Sequence, residues 1–137
     1  MKAAIDRATK SVLVVAGIIA CLVGAATMIV PVETEAGLGI TIGHDVSLLN
    51  EMRSSGGGLM GAGIVIVAGA LIAELTYAAA LLGTLTYFGY GLARVLSMVI
   101  DGIPDPRLLL IVSIEIAVGS WCLSVLLKLQ QKLRNAR

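Results

Sequence analysis

From Gly57 to Ile100 the chain runs for about 44 residues with only two charged side chains, Glu74 and Arg94. As one helix at ~1.5 Å per residue, that run would be ~66 Å long, about twice the hydrocarbon thickness of a bilayer. The run must therefore fold back on itself. The turn belongs near "AELTYA", Ala73 to Ala78, where Glu74 is the only acid of the block and Tyr77 suits a membrane interface. Two flanking runs, Ser11 to Val30 and Leu108 to Leu127, are each long enough for one further span of ~20 residues. The expectation is an all-α, integral membrane four-helix bundle forming a single transmembrane domain over residues 1–137, with spans at about 11–30, 57–74, 77–100 and 108–127. A three-span chain with one strongly tilted helix strains the length argument. With 58% of residues hydrophobic and 14% charged, a water-soluble surface is excluded.

Breaks outside the long block are better marked. Pro31 follows the first run directly, and "DGIPDPR", Asp101 to Arg107, places two prolines and a glycine between spans three and four. Residues 31–56 read as an outer loop, and residues 128–137 as a basic tail. Lys2, Arg7, Lys10, Lys128, Lys132, Arg134 and Arg137 lie at one end, against Arg53, Arg94 and Arg107 at or near the other. Basic residues near span ends are retained on the cytoplasmic side, so both termini are expected there, in a multi-pass protein of the bacterial inner membrane. The run from Val12 to Val30 exceeds the usual apolar core of a signal peptide and is expected to stay as a span. The tail is expected to continue span four as a helix and rest on anionic membrane lipid.

Little catalytic chemistry is legible. Cys21 and Cys122 fall inside different spans with no CxxC spacing, and packing is the expected role of both. His44 stands beside Asp45 without metal-ligand spacing. There is no nucleophile elbow, phosphate loop or nucleic-acid-binding basic patch, so no enzyme, metal, cofactor or nucleic-acid partner is expected. Glycine says more, because small residues four apart let membrane helices approach closely. Gly57 with Gly61, Gly69 with Ala73, and Gly89 with Ala93 have that spacing, as do Ala16, Ala20 and Gly24 in span one. Gly57, Gly61, Gly69 and Gly89 are therefore the expected packing glycines.

Two charges remain inside spans. Arg94 lies ~9 Å from the end of span three and Glu115 lies ~12 Å into span four, at nearly equal depth. An isolated charge there costs at least ~2.5 to 3.5 kcal/mol, so Glu115 should face Arg94, or Arg53 at the start of span two.

The stretches "NEMRSSGG" (Asn50 to Gly57), "GLARVLSMVIDGIPDP" (Gly91 to Pro106) and "SIEIAVG" (Ser113 to Gly119) together resemble the domain-of-unknown-function family numbered 4345. That resemblance implies a small bacterial membrane protein of four helices and supplies no activity. It also implies that Glu51, Arg53, Arg94, Asp101 and Glu115 belong to one set of motif positions. Two readings of the set stand open. One is an ion-pair clasp in a non-catalytic structural or accessory component, which packs as a homo-oligomer or in a larger membrane complex. The other is a polar pocket in the outer leaflet that binds a lipid, quinone or other small ligand.

Overall fold

The computed structural model describes residues 5–135, and every regular element among them is helical. The elements are α1 (Arg7–Ile29), α2 (Pro31–Gly37), α3 (Val46–Leu71), α4 (Thr76–Asp101) and α5 (Pro106–Asn135). A single 3-10 turn, Ala73–Leu75, separates α3 from α4. Four of the five helices are long and apolar enough to cross a membrane, and α2 is not one of them. Large apolar side chains such as Leu22, Leu85, Leu92 and Val99 stand on the outside, a surface suited to hydrocarbon and costly in water. The chain is an all-α membrane protein.

Each helix end has a local cause. Asp6 caps α1, one carboxylate oxygen accepting from the Thr9 amide at 2.8 Å and the other from the Thr9 hydroxyl at 3.0 Å. Val30 leaves helical geometry and Pro31 opens α2, since proline at the first position forgoes an amide bond the helix would not make there. Asp45 caps α3 by accepting from the Leu48 amide at 2.8 Å. Ile72 is extended, which makes the turn between α3 and α4, and Thr76 closes it by donating its hydroxyl to the Gly69 carbonyl at 2.8 Å. Gly102 ends α4 at φ 104°, a conformation that side-chain-bearing residues rarely adopt.

The turn falls where the sequence indicates, but the expected outer loop 31–56 does not hold. Residues 31–37 are helical, and α3 starts at Val46, eleven residues before Gly57. The Asp45 cap is the reason, because it starts a helix well before the apolar run does. At the other end of the chain α5 continues through Asn135, and the Lys132 ammonium lies 3.6 Å from the Asp6 carboxylate.

Consecutive spans run antiparallel, α1 packing chiefly on α3, and α4 on α5. The first pair is joined by glycines seven apart. A Cβ on Gly24 would meet the Gly56 carbonyl at 2.7 Å, and one on Gly17 would meet that of Gly63 at 2.8 Å. The reverse holds equally, since Gly56 faces Gly24 and Gly63 faces Gly17 at 2.7 and 2.8 Å. Only hydrogen fits at these four positions. Three of the expected packing glycines are corrected by this: Gly61 and Gly89 have open space around a Cβ, and Gly57 meets only the Met28 sulfur at 3.7 Å. Gly69 does pack, against Ala79 of α4.

The buried core sits toward one end of the bundle. Val12, Leu13, Ala16, Ile66, Ala70, Ala79, Ala80, Cys122, Val125 and Leu126 come from the first half of α1, the last of α3, the first of α4 and the last of α5. There the two helix pairs meet. At the opposite, distal end α2 and the loops take the place of a packed core.

Candidate functional site

Where the pairs no longer meet, a cavity of about 370 Å³ opens between them. All five helices contribute to its wall. Ile19, Val23 and Thr27 come from α1, Met52, Ser55 and Leu59 from α3, Thr86, Tyr87, Tyr90 and Arg94 from α4, and Ile111, Ile114 and Glu115 from α5. Thr34 and Glu35 of α2, with Leu38 just after it, complete the lining. Tyr87 is buried, and its hydroxyl donates to the Ala16 carbonyl across the bundle, joining the cavity to the core.

Glu115 and Arg94 meet here as the depth argument requires: the Arg94 Nε donates to Glu115 Oε1 at 3.2 Å. The pair is unequal in exposure, the side chain of Arg94 being 34% exposed and that of Glu115 11%. Glu115 also keeps an unsatisfied group. Its Oε2 is buried and has no hydrogen-bond partner. The lack of a side chain at Gly91, where a Cβ would meet Ile116 Cδ1 at 2.8 Å and Glu115 Cβ at 3.4 Å, lets α4 and α5 close tightly enough to hold the pair.

The other members of the motif set go elsewhere. Arg53 donates through Nη1 to the carbonyls of Met28 and Ile29 at 2.6 and 3.0 Å, so it caps the end of α1 and is not the partner of Glu115. Asp101 accepts from the Ser97 hydroxyl at 2.8 Å within its own helix, and Glu51 is exposed. A single five-residue cluster is therefore not formed. The family resemblance puts the five in one set of motif positions toward one end of the bundle, and residues at one end still point around its full circumference.

In place of those residues the structure brings in Glu35. Pro31, Thr34 and Glu35 of α2 and Leu38 just after it share one face by their spacing of three and four, and Thr34, Glu35 and Leu38 of that face line the cavity. The spacing is visible in "PVETEAGL" once Pro31 is read as a helix start. Burial pushes the Glu35 carboxyl above the usual carboxylate range, and the Arg94 charge opposes that rise. The position of α2 is fixed from α5, because Arg107 donates through Nη1 to the Gly37 carbonyl at 3.1 Å. Arg107 also sits 3.9 Å from Asp105.

A second depression, of about 380 Å³, lies at the opposite end between Asp6, Thr9, Thr76, Tyr77 and Lys132. Three charged side chains, Asp6, Glu74 and Lys132, line it, and Asp6 and Lys132 face one another.

Comparison with curated proteins and with solved structures finds no match. The family Domain of unknown function (DUF4345) matches residues 8–126, which run from the first turn of α1 to Leu126 of α5 and take in every cavity-lining residue; the chain belongs to that family.

Proposed function

We propose that this protein binds a small amphipathic molecule in the distal cavity, within the membrane. The observation that carries the reading is Glu115, a carboxylate nine-tenths buried beside empty space, with one oxygen paired and the other without a partner. A purely structural clasp gains nothing from that arrangement. An unsatisfied buried acceptor costs ~1 to 3 kcal/mol, and an unfilled apolar cavity costs more with its volume. An occupant that fills the space and donates to Oε2 removes both costs. The cavity also has the size and lining of ligand pockets generally, mostly apolar with a few convergent polar groups. We read the role as non-catalytic, because the buried carboxylate faces an arginine and not a nucleophile.

The seven basic residues gathered at the terminal end support placing that end on the cytoplasmic side of a bacterial inner membrane. The cavity then opens within the outer leaflet. A second reading, assembly with another copy or a larger membrane complex, draws on Gly57 and Gly61: they lie one turn apart on α3 with almost no neighbour inside the chain.

The binding reading is tested with 4-phenylbutan-1-ol as probe and thermal stability in a neutral detergent as readout. Wild-type protein should be stabilised in a saturable manner. Thr86→Phe, which fills the cavity, should be folded and unresponsive. Equal stabilisation of both proteins would sink the reading.

A further inference from the structure

Resting on that reading of the cavity, we infer that its occupant is cationic: an apolar body carrying a primary ammonium, held between Glu35 and the free oxygen of Glu115. The lining contains three charged side chains. Glu35 comes from α2, Arg94 from α4 and Glu115 from α5, while α1 and α3 contribute only apolar and hydroxyl groups. Arg94 pairs with Glu115 at 3.2 Å and leaves Glu35 with no ion pair among the described residues. The wall thus carries one carboxylate more than it has cations.

An anionic occupant would have to compete with Glu115 for Arg94 and would meet two carboxylates. A neutral one would leave the excess charge uncompensated in a poorly hydrated space. An ammonium offers three donors and no acceptor, which matches a wall that presents the unsatisfied Glu115 Oε2 and the half-buried Glu35 carboxylate, both acceptors. The ring of Tyr90, 38% exposed at the same wall, adds a π face toward which a cation is attracted. Partial burial of Glu35 acts in the same direction, since it raises the carboxyl's proton affinity against the opposing Arg94 charge, and a further positive charge nearby relieves it.

Two sources present this chemistry, a free lipophilic amine and the ethanolamine headgroup of a membrane lipid. The test uses three probes on one carbon skeleton: 4-phenylbutan-1-amine, 4-phenylbutan-1-ol and 4-phenylbutanoate. Affinities are measured calorimetrically on full-length protein in phosphatidylcholine nanodiscs near neutral pH, each corrected for partition into empty discs. The amine should bind about tenfold or more tighter than the alcohol, as expected for a hydrogen bond to a charged acceptor, and the carboxylate weakest. Glu35→Gln should bring amine and alcohol close together while keeping the fold, because it removes the unpaired charge and leaves the Arg94–Glu115 pair in place. Lowering the pH should shrink the amine's preference in the wild type as Glu35 takes up a proton.

Introducing phosphatidylethanolamine into the discs separates the sources. Competition that weakens the amine assigns the site to the lipid headgroup, and undiminished binding assigns it to a free amine. Amine and alcohol binding equally, or the carboxylate binding tightest, would overturn the cationic occupant and leave the cavity as a binding site. Failure of all three probes to bind would overturn the binding reading itself.

Discussion

Glu115 is the residue that both the sequence and the structure single out, and its pairing yields a direct test. Removing either partner leaves a charge in a poorly hydrated interior, which typically costs ~3 to 5 kcal/mol, whereas replacing both with apolar residues is often nearly neutral. Glu115→Leu and Arg94→Leu should each lower thermal stability in detergent, and the double replacement should recover most of the loss. Arg53→Leu should rescue neither, because Arg53 donates to the end of α1. Recovery of stability in the double variant should not bring back probe binding, which separates the pair's structural part from its part in the cavity. A second residue-scale prediction concerns Asp6. The Thr9 amide, then the Thr9 hydroxyl and Lys132, hold its carboxyl below the usual aspartate range. Its stabilising contribution is therefore present above the unfolded value and lost as the pH falls through the lowered folded one. Asp6→Asn keeps a capping oxygen and should flatten the acid limb of the stability profile, read by thermal melts at stepped pH. The Arg94–Glu115 pair was legible because depth along a span follows from counting residues. Glu35 was not, because it lies outside every apolar run.

At the scale of elements, the number of spans followed from length alone, and helix ends followed wherever proline or glycine marked them. The faces did not. In water the buried face of a helix is the apolar one, but lipid is as apolar as a protein core, so hydrophobicity does not distinguish the face that packs from the face that meets lipid. Small residues are what remains to read, and this chain has them on several faces. Spacing of four selected Gly57 with Gly61, whereas the α1–α3 contact uses Gly17 with Gly24 and Gly56 with Gly63, each pair seven apart. The two sets should respond oppositely to added volume. Gly24→Val and Gly63→Val place methyl groups against facing backbone and should cost at least ~1 to 3 kcal/mol. Gly61→Val, with nothing within 4 Å of its Cβ, should be tolerated in a monomer. Thermal unfolding in detergent checks the contrast, and loss of an oligomer on Gly61→Val with the monomer intact would favour the assembly reading.

For the whole molecule, the decisive feature is the asymmetry between its ends. The core gathers where α1 begins and α5 finishes, while the distal end holds the cavity under α2. No sequence pattern announces a cavity, because it arises from how two helix pairs diverge and is not carried by any residue. Charge at the two ends is legible, and it predicts that single cysteines at Thr41 and Asn135, in a background lacking Cys21 and Cys122, label from opposite sides of intact cells with an impermeant reagent. The asymmetry carries a further consequence for stability. A chain selected only to hold together gains by filling its interior, since cavity-filling substitutions commonly add ~0.5 to 2 kcal/mol. A chain that keeps 370 Å³ open beside a buried carboxylate gives up that gain for as long as the space is empty. Thr86→Phe should therefore raise the melting temperature of protein freed of small molecules while removing its response to the phenylbutyl probes. Saturating wild-type protein with 4-phenylbutan-1-amine should narrow the difference, because the ligand then occupies the volume that the new ring would fill. If the substitution instead lowers the melting temperature, the space is not open to a ring of that size, and the packing around Thr86 must be tighter than the cavity implies.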